Sequence, residues 1–459
     1  MSVEGDRIAL HATGMEPPVN GRERPGGRLP GGRHPSAPGA PGRPGARCYH
    51  AAMGEPPALA PRYRFAVLAL IVGVQTAMNV GALGLPSLAP VIRADLGLSR
   101  QEAGSFISAF YVGGVLTSLP AGWLADRVGV RWTLLAGQGL VAACFAAMML
   151  ARGYAGLVGA VLLAGVGYGA VNPTSTKGVL VWFPAASRAT VVGIKQAGFP
   201  LGGAIGALLL PSAAEFLGWR GALGIAAGLI GASAAAAGIG YREPPASGPS
   251  EPGAARGRPR VDVVLSSRPI WLVSLATFLF SAVQVAWISY LPLYLSEVAA
   301  LSAVAAGAVL GQAQIAGTLG RVAFGLISDR VFGGRRLIVL VLAGAATAGL
   351  CAATAWAGPR GAGAALSLVA LGFGLTGIGW NGVHHTLLAE IAGRDSAATA
   401  VGLCLAISSI GVIAGAPLFG LAADRLSRYD WSWYGLALAM LLALALLSGV
   451  REPRRPRWA

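Results

Sequence analysis

Gly122-Trp123-Leu124-Ala125-Asp126-Arg127-Val128-Gly129-Val130-Arg131 closes one long apolar run, and Gly325-Leu326-Ile327-Ser328-Asp329-Arg330-Val331-Phe332-Gly333-Gly334-Arg335-Arg336 closes another. A Gly-x-x-x-Asp-Arg element thus follows the second apolar run of each half of the chain. The glycine lets two helices approach closely, and an Asp at a helix end accepts hydrogen bonds or pairs with a nearby Arg. A second register agrees with the first. Asn172 and Gly193 lie 21 residues apart across a hairpin, and so do Asn381 and Gly402. The chain therefore reads as a parallel internal repeat.

Working outward, 54% of the 459 residues are apolar and only 12% are charged, against about a quarter charged in ordinary soluble domains. A single water-soluble core stops growing near about 250–300 residues, so this much apolar chain calls for a bilayer. Runs of about 20 apolar residues fall near 65–92, 103–125, 132–151, 155–181, 190–212 and 219–240. They recur near 270–295, 302–327, 337–357, 363–389, 398–421 and 432–450. The reading is an all-α polytopic membrane protein with twelve transmembrane helices in two six-helix bundles, residues 63–240 and 269–450. A Pro- and Arg-rich linker, 241–268, joins them. Residues 1–62 lack the apolar stretch of a signal peptide and read as a disordered tail, with 451–459 a second, short tail.

The formal charge of +16 would suit nucleic acid if it lay on one face of a soluble domain. Here the arginines stand between apolar spans instead. With a cytoplasmic N-terminus, the cytoplasmic segments hold 25 arginines and the opposite loops seven; without the tails the loops still divide 12 to seven. The positive-inside rule therefore predicts a multi-pass protein of the cytoplasmic membrane with both termini in the cytoplasm. Cys144, Cys351 and Cys404 lie in apolar spans, and with Cys48 they form no CxxC or Cys/His spacing, so no metal site is expected. No nucleophile triad, metal-ligand set or phosphate loop occurs, so neither an enzyme nor a cofactor is expected.

With its paired Asp-Arg loops and 6+6 layout, the chain resembles the major facilitator superfamily over residues 65–450. The resemblance implies two bundles around a central cavity, a small-molecule solute, and alternating access by rocking of the bundles. It also implies that Gly122, Asp126, Arg127 and Arg131, with Gly325, Asp329, Arg330 and Arg335, stabilise one state rather than touch solute. The hairpin Trp182-Phe183-Pro184-Ala185-Ala186-Ser187-Arg188-Ala189-Thr190, followed by Gly193-Ile194-Lys195, resembles branches that move small anions such as nitrate, cyanate, oxalate or carboxylates. The paired in-membrane arginines of nitrate carriers have no counterpart at matching depth in spans 2 and 8. Span 5 holds Gly198-Phe199-Pro200-Leu201-Gly202-Gly203, near the Gly-Pro-x-x-Gly-Gly element of antiporter branches but differently spaced. Drug or metabolite efflux is therefore the rival reading.

Ionisable groups within a membrane are costly, and each is a functional candidate. Lys177 and Lys195 are the chain's only lysines, both in the span 4–5 hairpin. Lys195 shares a face with Gly198, Gly202 and Gly206, so it points toward other helices; an unpaired ammonium in a cavity attracts anions. Snorkelling to the interface is the alternative for both. Gln75 and Asn79 on span 1, Asn172 on span 4, Gln284, Trp287 and Tyr290 on span 7, Gln312 on span 8, and Trp380 and Asn381 on span 10 could orient a ligand, or bond helix to helix. His384 and His385 are candidates for a coupling proton, with a structural role as the alternative; Arg321, near an inner helix end, reads as structural. The expected partners are an anionic small molecule, the bilayer and H+, with the chain a monomer.

Overall fold

In lipid no water competes for backbone groups, so a chain rich in Leu, Ala, Val and Gly satisfies them internally, as helix. The structure is a computed structural model that describes residues 60–183, 188–243, 261–360, 363–393 and 396–452. Within these, side chains are described except at 60–62, 118–126, 188–190, 261–263, 363 and 397–398. The expected tail 1–62 therefore lies almost wholly outside the described residues. So do Cys48, most of the linker, residues 453–459 of the second tail, and the side chains of Gly122 and Asp126. Among the described residues there is no strand.

Among the described residues ten helices are long and apolar enough to span a membrane, one of them running from Val191 to Gly240. That one is two. At Gly218 the backbone takes φ 67° and ψ 169°, a conformation that glycine adopts without a Cβ penalty. The apolar stretch Phe106–Thr117 supplies the remaining span, inside a helix that continues to Val128. The twelve are α1 (Ala60–Leu96), α2 (Phe106–Val128), α3 (Val130–Met148), α4 (Tyr154–Leu180), α5 (188–217) and α6 (219–240). The second half adds α7 (Arg268–Glu297), α8 (Ala303–Arg330), α9 (Arg336–Ala357), α10 (363–392), α11 (Ala397–Arg425) and α12 (Asp430–Ser448). Helix α10 carries a π-helical turn, Gly374–Ile378, directly before Trp380 and Asn381.

One buried core is drawn entirely from α1–α6 and the adjoining residues. A second comes mainly from α7–α12 and takes in Ala89, Ala103, Ile107 and Ala207 from the first half. The repeat fixes how each half packs. A Cβ on Gly202 would lie 2.3 Å from the Thr76 carbonyl oxygen of α1, and one on Gly411 would lie 2.2 Å from the Phe278 carbonyl oxygen of α7. The small-residue stripe on α5 thus brings backbone against backbone, and α11 repeats it 209 residues on.

A second repeat pair shows which helix ends share a face. Glu243, just after α6, accepts the Arg131 backbone N–H of α3. Glu452, just after α12, accepts the Arg336 and Leu337 N–H groups of α9. Each carboxylate caps a helix N-terminus, where the dipole favours negative charge. On this face the second Asp-Arg element acts through a different arginine from the one expected. Asp329 pairs with Arg336 at 2.6 Å, and Arg336 also approaches Glu390 at 3.7 Å. A Cβ on Gly325 would meet open space, so the expected close approach is not made there.

The opposite face joins the halves. Glu297, at the end of α7, accepts from Arg93 of α1 and from Arg100 at 2.8 Å. Asp424 of α11 accepts the Arg100 and Gln101 N–H groups at 3.2 and 2.8 Å. Arg100 also stacks over Tyr429, 4.9 Å from its centroid. Burial, and then the Glu297 carboxylate, push the Tyr429 phenol well up, so it stays protonated.

Candidate solute site

Helix ends are wet and helix middles are not, so depth along each span sorts the polar residues. The 28 residues of α8 extend about 42 Å, against about 30 Å of hydrocarbon. By the same rise Arg321 stands about 7 Å past the midpoint, and helical side chains slant toward the N-terminus, which carries its guanidinium back toward the middle. The sequence reading set Arg321 near an inner helix end; the full length of α8 and the slant of the side chain bring its guanidinium toward the middle of the helix.

There its guanidinium carbon lies 5.7 Å from the Phe199 ring centroid of α5. It is within electrostatic range of Tyr111 of α2, Tyr168 of α4 and His385 of α10. Its Nε meets no acceptor among the described residues. The acidic residues of the spans, from Asp95 of α1 to Asp430 of α12, all sit in or next to terminal turns. The charge therefore faces aromatic rings and hydroxyls of the first half and a histidine of the second.

Around it the repeat places amides. Gln75 and Gln284 are 209 residues apart, as are Asn172 and Asn381. In the second half the Gln–Asn pair is made: Trp380 Nε1 and Asn381 Nδ2 donate to Gln284 Oε1 at 3.0 and 3.2 Å. In the first half it is diverted. Lys195 Nζ donates to Asn172 Oδ1 at 2.6 Å, to the Asn172 carbonyl at 3.3 Å and to Thr176 Oγ1 at 3.1 Å. Gln75, only 1% exposed, keeps an Oε1 with no partner among the described residues. A buried acceptor left unmade costs about 1–3 kcal/mol, so a donor arriving there is favoured. Asn79 donates to the Gln75 carbonyl at 2.7 Å.

A sequence profile described as Major Facilitator Superfamily matches residues 66–393. The chain belongs to this superfamily. It is a membrane transporter, not an enzyme, as are its relatives. It is 28% identical over 400 residues to the uncharacterised MFS-type transporter Rv2994 of Mycobacterium tuberculosis (86% of this chain, 88% of the relative). It is 25% identical to the hexuronate transporter of Bacillus subtilis (83% and 93% covered). It is likewise 25% identical to the probable sulfoacetate transporter SauU of Cupriavidus necator (79% and 88% covered). Among solved structures, a bacterial homologue of the human lysosomal transporter Spinster superposes with a TM-score of 0.70 at 19% identity, covering 86% of this chain and 97% of that one.

The remaining candidates in this facilitator are scattered. Trp287 is fully buried, stacks on Phe373 at 3.9 Å and points its Nε1 at Thr354 of α9, inside the second bundle. Tyr290 fills the space over Gly104 and Gly420, where a Cβ would lie 2.0 or 1.9 Å from its ring or hydroxyl; it belongs to the joined face. Gln312 is exposed in line with exposed Ile315, Leu319 and Val322. Two residues on, Gln314 turns about 200° around the helix and meets Gly203 of α5. His384 is buried with Nδ1 2.9 Å from the Asn381 carbonyl oxygen, its ring 4.0 Å from that of His385. Lys177 is half-buried, beside Thr176 in sequence. Arg321 and Gln314 are the residues that sequence reading missed; complete helix lengths were the signal for the first, and the exposed apolar stripe of α8 for the second.

Proposed function

We propose that this facilitator carries a small organic anion across the cytoplasmic membrane, with both termini cytoplasmic and the two bundles rocking about a site at mid-depth. Arg321 holds the anionic group. Gln75, Asn79, Asn172, Gln284 and Asn381 orient the body of the solute, and Trp380 with the Tyr111, Tyr168 and Phe199 rings gives it apolar walls. Lys177 lies toward the cytoplasmic mouth, where an anion would enter or leave. In this orientation the joined face at Glu297 is external, and the described state is open to the cytoplasm.

The observation that carries the reading is a guanidinium near the middle of its span whose Nε has no partner, with no carboxylate at its depth among the described residues. A cation in low dielectric without a counter-charge is expensive, and an anion brought to it recovers part of that cost through charge-assisted bonds. The relatives named as hexuronate and probable sulfoacetate transporters support an acidic cargo. The test is a thermal-shift screen of purified protein against glucuronate, sulfoacetate, gallate, chloride and a lipophilic cation. Stabilisation by a carboxylate or sulfonate that disappears in Arg321→Ala supports the anion site. Stabilisation by the lipophilic cation alone would sink it in favour of efflux.

A further inference from the structure

Lys195 is 1% exposed, and its three contacts are all to neutral oxygens of α4: Asn172 Oδ1, the Asn172 carbonyl and Thr176 Oγ1. It stands where the repeat has Cys404, and it holds Asn172, whose counterpart Asn381 instead donates from Nδ2 to its glutamine partner. Its contacts lie on α4, whereas Arg321 packs its guanidinium on Phe199, one turn along α5 from Lys195. Resting on the anion-carrier reading above, we propose that Lys195 is the coupling-proton site of this transporter, positioning Asn172 for the solute when charged and releasing it when neutral.

The electrostatics explain why proton and anion would travel together. Of the titratable or charged groups on the helices around Lys195, Lys177 and Tyr168 stand on α4, and the acids Glu215 of α5 and Asp95 of α1 stand near the far ends of their helices, while Arg321 of α8 and, beside it, His385 of α10 come from the second half. From α1 the neighbouring segment presents Gln75 and Thr76 to α5, and neither titrates. An anion brought close to a buried amine stabilises the charged form of that amine. By linkage, anion binding must then strengthen proton binding, and proton binding must strengthen anion binding by the same factor. Arginine cannot take this part, because it does not deprotonate. The two histidines are poorer candidates by their geometry, since their rings lie 4.0 Å apart and His384 Nδ1 is 2.9 Å from the Asn381 carbonyl oxygen. The step is simple: an ammonium Nζ–H bond is lost to water at the cytoplasmic opening, leaving a neutral amine that still donates to Asn172 Oδ1, so the α4–α5 tie is weakened without being lost.

The experiment uses full-length protein in liposomes and, as probe, whichever of glucuronate, sulfoacetate or gallate stabilises the wild type most. Two assays are run on wild type, Lys195→Arg and His384→Gln/His385→Gln. One is equilibrium counterflow, which needs no proton movement across a gradient; the other is accumulation driven by an imposed acid-outside gradient. Lys195→Arg keeps a fixed charge on the tie, so counterflow within about fivefold of wild type is expected, with gradient-driven accumulation lost. The double histidine variant is expected to keep its gradient response. A merely structural Lys195 would be rescued by Arg in both assays, and that result overturns the proposal. Wild-type counterflow with no gradient response overturns the coupling site and leaves the anion reading standing. Absence of stabilisation by every anion overturns both.

Discussion

At the residue scale, Arg321 is the site's main wager. Among the described residues its charge meets ring faces and tyrosines, so an anion bound there would draw most of its affinity from that guanidinium. Removing one partner of a desolvated charge pair costs about 2–5 kcal/mol. Arg321→Ala should therefore weaken solute affinity by about 30-fold or more, read by the solute concentration giving half-maximal counterflow. Arg321→Lys should recover only part, because a point charge replaces a planar fork. Equal affinity in the alanine variant would remove Arg321 from the site. Little of this was legible beforehand. Gln75, Asn79, Asn172, Gln284 and Asn381 declare themselves as amides within apolar runs, but a side chain's partner is set by tertiary packing. Thus Lys195 looks like a free cavity cation in the sequence and is instead tied to α4, while Arg321 looks peripheral and is central.

Elements were easier to read than sites, because bilayer thickness fixes span length and leaves the helix as the only way to satisfy the backbone. Both bundles and the repeat follow from the apolar runs and the paired Gly-x-x-x-Asp-Arg loops. What escaped is local: the Gly218 break between α5 and α6, the π turn ahead of Trp380, and the Glu243 and Glu452 caps. The caps had a signal in Arg242-Glu243-Pro244 and Arg451-Glu452-Pro453, the same tripeptide closing each half. The glycine contacts also recur, and they make a prediction at this scale. A Cβ at Gly202 or Gly411 would run into a carbonyl oxygen of the facing helix, and a backbone cannot step aside as a side chain can. Gly202→Val and Gly411→Val should each cost about 1–3 kcal/mol through overpacking, lowering the melting temperature in detergent. Gly325→Val, where a Cβ meets open space, should leave it nearly unchanged. Equal losses at all three positions would mean that the close approaches do not decide how the bundles pack.

At the scale of the whole molecule, the two faces are held differently. Across the Glu297 face, charge crosses between the halves: Arg93 and Arg100 share one carboxylate, and Asp424 caps the helix that begins at Arg100. On the chain-end face, the Asp329–Arg336 and Arg336–Glu390 pairs stay within the second half. Rocking to the alternative state must therefore break the first set and need not break the second. The side chains of Arg93, Arg100 and Glu297 are 32%, 23% and 19% exposed, so screening limits each pair to about 1 kcal/mol or less. Such an increment is still large for a two-state balance, because about 1.4 kcal/mol is a tenfold change in population. Glu297→Gln keeps the side chain's size and some hydrogen bonding but removes both ion pairs. It should shift the population toward the state open at that face by roughly fivefold. Spin labels on the 97–100 and 427–430 loops would read the shift as a longer-distance population in pulsed-EPR measurements. High salt should produce part of the same shift in wild type, since exposed pairs are screened, and little further shift in Glu297→Gln. If the distance distributions of wild type and variant coincide at low salt, the charge ties do not hold the face closed, and the packing of Tyr290 over Gly104 and Gly420 must do so instead.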